Sequence, residues 1–131
     1  MASNDKKVMI IDDNPIDLKI NSKLLLLSKL FNDVILCQSG EDALSYLRNN
    51  VGNKDKLPDL ILLDIQMPEM DGFEFLDQYK KLPKEFLNSC TIALLSSTLD
   101  FSDIKRAEAN PYIVTLLKKP LQPAEVEELL R

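Results

Sequence analysis

The chain has 131 residues, 45% of them apolar, which fits one domain spanning residues 1–131 with enough apolar surface to fill a core. Sixteen basic residues against 21 acidic ones give a formal net charge of −5, which argues against sequence-independent binding to nucleic acid. No apolar run approaches the roughly 20 residues of a membrane span. The opening residues Met1 to Lys7 lack the apolar stretch of a signal peptide. The expectation is therefore a cytoplasmic protein without membrane contact, with residues 1–6 as a flexible N-terminus. Histidine is absent, which removes histidine acid–base catalysis, most zinc sites and any role as a phosphohistidine carrier. Cys37 and Cys90 lie in or beside apolar runs and read as reduced, buried residues. With only three glycines, the chain has neither a dinucleotide-binding loop nor a Walker phosphate loop.

In chain order, the first apolar run is Val8-Met9-Ile10-Ile11, ending in Asp12-Asp13. Ile16, Ile20, Leu24 and Leu27 then recur at helical spacing, with Pro15 near the helix start and Asp13 or Asn14 as its cap. A second run, Val34 to Cys37, precedes Ser39 and Asp42 in a capping-box spacing, and Ala43, Leu44 and Leu47 follow on a helix. Leu60-Ile61-Leu62-Leu63 is closed by Asp64. Gly72 opens a helix carrying Phe75, Tyr79 and Leu82. Ile92 to Leu95 ends in Ser96, and Phe101, Ile104 and Ala107 mark a helix capped by Asp100 or Ser102. Ile113 to Leu117 runs into Lys118-Lys119-Pro120, and Val126, Leu129 and Leu130 stripe a last helix. Five strands alternating with five helices, the strands nearly continuous in apolar residues, predict a doubly wound α/β domain with a parallel sheet covered on both faces.

Ligands of such a sheet bind beyond the carboxyl ends of its strands. Those ends carry Asp12 and Asp13, Asp64, Ser96 and Lys119. If the first and third strands are neighbours, three carboxylates converge. Each like-charged pair at about 4 Å costs on the order of 4 kcal/mol at an effective dielectric near 20. Such a cluster is poor at stabilising a fold and well suited to a hard divalent cation, and an oxygen-only set favours Mg2+ (or Mn2+). The other residues suit a phosphoryl group: Asp64 as nucleophile, with the Lys119 ammonium and the Ser96 hydroxyl toward the phosphoryl oxygens.

These residues resemble the receiver domain of two-component response regulators over essentially the whole chain. The resemblance rests on Ile10-Ile11-Asp12-Asp13-Asn14, on Leu62 to Gly72 (LLDIQMPEMDG), on Leu95-Ser96-Ser97 and on Lys119-Pro120. It implies a flavodoxin-like (βα)5 fold with sheet order 2-1-3-4-5 and Asp64 as phosphoacceptor. It also implies a metal site of Asp13, Asp64 and the backbone carbonyl of Gln66, with Asp12 acting through metal-bound water. Ser96 and Lys119 would be the switch residues, and Gln66 and Thr98 would flank the path of attacking water. A sensor histidine kinase or a phosphotransfer protein would be the donor. A downstream protein would read the surface of the fourth helix, fifth strand and fifth helix, and the protein would act as a signalling phosphoacceptor, not an enzyme. Two departures stand out. Leu116 occupies the place three residues before the lysine where the family normally has an aromatic switch residue, leaving Tyr112 as the nearest substitute. The chain also ends at Arg131 without an output domain, as in a stand-alone receiver or one excised from a longer protein. A haloacid-dehalogenase-type phosphatase would need an acid two residues after the nucleophile, where Gln66 stands. A receiver that only binds partners would not need the full set of five residues.

Overall fold

A computed structural model describes residues 6–98 and 100–130. Five strands, β1 (Lys7–Ile11), β2 (Asp33–Cys37), β3 (Leu60–Asp64), β4 (Thr91–Ser96) and β5 (Ile113–Lys118), form one parallel sheet in the order β2-β1-β3-β4-β5. The α-helical segments are α1 (Pro15–Ser28), α2 (Gly40–Asn49), α3 (Gly72–Tyr79), the single turn α4 (Lys84–Leu87), α5 (Phe101–Ala109) and α6 (Pro123–Leu129), with a 3-10 turn at Lys54–Lys56 before β3. The fold is the expected flavodoxin-like doubly wound α/β. The additional turn α4 starts after Pro83 and is too short to show a helical period. Most of the segment expected to be flexible lies outside the described residues; Lys6, its last residue, accepts the Asn32 amide at 2.9 Å through its carbonyl.

Strand residues alternate between two cores, as the two-residue period of a pleated strand dictates. Met9, Ile11, Ile61, Leu63, Ile92 and Leu94 pack with residues of α2, α3, α4 and α5. Val8, Ile10, Leu60, Leu62, Ala93 and Leu95 pack under α1 and α6 with Leu18, Leu25 and Val126. On the first face Tyr79 is fully buried, its ring 5.8 Å from Phe75 and 5.9 Å from both Phe86 and Tyr112. Both cysteines are free thiols, Cys37 buried and Cys90 half-buried. No helix among the described residues is long and apolar enough to cross a membrane.

The inward face of α1 is not the expected one. Leu18, Asn21 and Leu25 are buried, whereas Ile16, Ile20 and Leu27 face outward at 68%, 53% and 79% exposure, with Leu24 half-buried. Every position from Leu24 to Leu27 is leucine, so the helix is apolar on more than one side. Its period then fits two faces equally well. Of the expected set Ile16, Ile20, Leu24 and Leu27, all but the half-buried Leu24 face solvent.

Candidate functional site

Strand register builds the site. Ile11 pairs with Leu63, so Asp12 and Asp64, each one residue further on, leave adjacent strand ends side by side. Asp64 pairs with Leu95, and Ser96 with Lys118, which brings the ends of β4 and β5 to the same edge. The Lys119 amide donates to the Ser96 carbonyl at 2.8 Å, and Lys119-Pro120 is a cis peptide. Oxygens of Asp12, Asp13 and Asp64 all lie within 4.8 Å of one another. Asp12 and Asp64 are buried and Asp13 is exposed at the mouth.

Each buried carboxylate is fixed at both oxygens. Asp12 Oδ1 accepts the Asn14 amide at 3.0 Å and its Oδ2 accepts Lys119 Nζ at 2.9 Å. Asp64 Oδ1 accepts the Gln66 amide at 3.1 Å and its Oδ2 accepts the same ammonium at 3.2 Å. Burial pushes the Asp64 carboxyl up to about 6, against the pull of Lys119 and with the Asp12 charge adding to it; the Gln66 amide opposes the rise. Burial alone would lower Lys119. The hydrogen bond to Asp12 and the charges of Asp64 and Asp12 outweigh it and hold the ammonium up at about 12.

The segment after Asp64 is shaped by close packing. The Gly72 amide donates to the Ile65 carbonyl at 2.9 Å, and a Cβ at Gly72 would lie 3.0 Å from the Asp64 carbonyl oxygen and 3.1 Å from the Ile65 Cα. With glycine there, the start of α3 approaches the end of β3 without the few tenths of an ångström of backbone adjustment that a Cβ would demand. Asp71 caps α3 in a reciprocal box: its side chain accepts the Glu74 amide at 2.8 Å, and the Glu74 side chain accepts the Asp71 amide at 3.0 Å. At α1 the cap is Asn14, whose Oδ1 accepts the amides of Ile16 and Asp17.

Ser96 is buried, and its hydroxyl closes a local turn: it donates to the Thr98 carbonyl and accepts the Thr98 amide at 3.2 Å. Its hydroxyl is therefore engaged by its own loop, not by Asp64. Leu99, next in that loop, lies outside the described residues. Leu116 is half-buried and packs against the core from β5. Tyr112 precedes that strand. It sits at the opposite end of the sheet from Lys119, roughly 20 Å away along a strand rising about 3.3 Å per residue, with its ring against Tyr79. That position keeps it from standing in for the missing aromatic at the site. Sequence reasoning missed one participant. Asp17, half-exposed in the first turn of α1, places its Oδ2 3.4 Å from Lys119 Nζ. A carboxylate one helical turn beyond the Asp12-Asp13 pair was the available signal, and it reads equally well as an ordinary first-turn acid.

The response regulator receiver domain model matches residues 8–131. A response regulator receiver protein from Dyadobacter fermentans DSM 18053 superposes with a TM-score of 0.87 at 41% identity, covering 95% of this chain and 94% of that one. A two-component response regulator from Cytophaga hutchinsonii gives 0.88 at 28% identity, covering 95% and 93%. The two-component response regulator ORR1 of Oryza sativa subsp. japonica is 32% identical over 128 residues, 94% of this chain but 53% of ORR1. The hybrid signal transduction histidine kinase L of Dictyostelium discoideum is 32% identical over 126 residues, 95% of this chain and 7% of that protein. The chain belongs to the response regulator receiver domain family. It is a receiver domain of the two-component type, a class that takes phosphoryl groups from histidine kinases.

Proposed function

We propose that Asp64 is the phosphoacceptor and that the chain takes its phosphoryl group from a phosphohistidine on a sensor histidine kinase or a phosphotransfer protein. One observation carries this reading: the Asp12, Asp13 and Asp64 oxygens within 4.8 Å of one another, with Lys119 bonded to two of the three. An Asp64 oxygen forms the new P–O bond as the P–N bond to the imidazole breaks, giving an acyl phosphate. The donor must be external, because the chain has no histidine. The all-oxygen donor set, with buried Asp12 and Asp64 beside exposed Asp13, fits a hard cation. Asp13, Asp64 and the Gln66 carbonyl would hold Mg2+ (or Mn2+), with Asp12 reaching it through water. Bound there, the cation supplies charge neutralisation at the phosphoryl oxygens. Lys119 and Ser96 take the remaining oxygens, Ser96 by releasing its turn with Thr98. Gln66 and Thr98 set the lifetime by positioning or blocking water.

The downstream partner reads α5, β5 and α6 in this account. What supports it is the shallow seating of α5: Ala107 is its one buried residue, and Phe101 is 72% exposed. Such a helix can shift at small cost. A cytoplasmic location goes with these partners and with the two free thiols. The test is incubation with acetyl phosphate, with and without Mg2+, followed by intact mass. A phosphoryl adduct that requires the cation and is absent from Asp64→Asn is expected. Equal labelling of Asp64→Asn, or labelling that ignores Mg2+, would overturn the assignment.

A further inference from the structure

The Lys119 ammonium has three N–H donors, and three carboxylates meet them: Asp12 at 2.9 Å, Asp64 at 3.2 Å and Asp17 at 3.4 Å. Asp12 and Asp64 are buried parts of the site; Asp17 approaches from α1, half-exposed, and is not among the three carboxylates that cluster within 4.8 Å. Asp17 occupies the third position of its helix, where a carboxylate ordinarily folds back on the amide of the cap residue. Glu74 does this in α3, accepting the Asp71 amide. In α1 the corresponding amide, Asn14, donates to Asp12 Oδ1, which leaves the Asp17 carboxylate for Lys119.

We propose that Asp17 is a positioning residue that restrains Lys119, holding its third N–H toward α1 in competition with the phosphoryl group on Asp64. This role rests on the phosphoacceptor reading above. An anion arriving at Asp64 needs a donor from Lys119, and with all three engaged one must be withdrawn. Asp64 and Asp12 lie on the sheet edge where the phosphoryl group is formed; the Asp17 contact is the longest and most exposed, so it is the one given up. Its charge also opposes the approach of a second anion. Asp17 therefore sets how readily the switch residue Lys119 engages.

The experiment compares labelling rates by acetyl phosphate with Mg2+ in the wild type, Asp17→Ala and Asp17→Asn, each also in a Lys119→Met background. Both single variants should label roughly two- to fivefold faster, the range expected for loss of a part-exposed ion pair, and the gain should vanish with Lys119 removed. Wild-type and Asp17→Ala rates that are equal, or a gain that persists in Lys119→Met, would overturn the role while leaving the phosphoacceptor reading intact. A wild type that does not label would overturn both. The 15N resonance of the Lys119 ammonium in the metal-free chain is a second readout that does not need Lys119→Met to fold. It should move in Asp17→Ala, and an unmoved resonance would refute the contact's role.

Discussion

Asp64 carries an electrostatic cost that can be read in the metal-free protein. Its carboxyl titrates near 6 in the fold against an ordinary 3.8. Between about pH 4 and 6 the folded chain therefore holds a proton that the unfolded chain has already lost, and stability falls as pH rises through that window. The full loss is on the order of 3 kcal/mol above pH 6. Asp64→Asn should remove that component and leave the chain equally or more stable at pH 7, as urea unfolding across pH will measure; a wild-type profile that rises from pH 4 to 6 while Asp64→Asn is flat would contradict the burial argument. Asp13, exposed at the mouth, is the carboxylate whose loss disturbs the fold least. Asp13→Ala should lose Mg2+-dependent stabilisation with little change in metal-free stability; a retained shift in thermal midpoint would remove Asp13 from the metal site. The residues at the strand ends were legible because acids, serine and lysine stood where apolar runs stopped. Asp17 was not, because nothing in a linear pattern separates a first-turn acid from one turned toward Lys119.

Among the elements, the strands were legible almost to the residue, since a doubly covered parallel strand is an unbroken apolar run such as Leu60-Ile61-Leu62-Leu63. Helix α1 was legible as a helix but not in its rotation, because leucine fills positions 24–27 and both candidate faces are apolar. The rotation makes a sharp contrast. Leu25→Ala, at a fully buried site, should cost about 2–5 kcal/mol. Leu27→Ala, two positions on and 79% exposed, should stay within about 0.5 kcal/mol. Urea midpoints that rank the two variants the other way would restore the Ile16, Ile20 and Leu27 face to the interior. The junction of β3 and α3 depends on Gly72. Gly72→Ala forces a Cβ to 3.0 Å from the Asp64 carbonyl oxygen. It should destabilise the chain by about 1–3 kcal/mol and slow phosphorylation by displacing the Asp64 backbone. Labelling at the wild-type rate would show that the junction tolerates the shift.

At the scale of the molecule, the site lies at one edge of the sheet, and α5 is the element proposed to respond. The β4–α5 loop follows Ser96, whose hydroxyl is held by Thr98 in this structure, and α5 is clasped to α3 through Arg106 on Phe73. Leu116, packed against the core, stands where an aromatic switch residue would rotate, so the proposed readout runs through the loop and α5. Beryllofluoride with Mg2+ should change hydrogen-exchange protection from Ser96 through Leu117; changes confined to α1 and α2 would contradict this route. The assignment of Asp64 as phosphoacceptor is tested at the aspartate itself. After phosphoryl transfer from a phosphohistidine donor, borohydride reduction should convert residue 64, and no other aspartate, to homoserine, found by mass mapping of the digested chain. Homoserine at position 12 or 13, or none at 64 in a labelled chain, would contradict it.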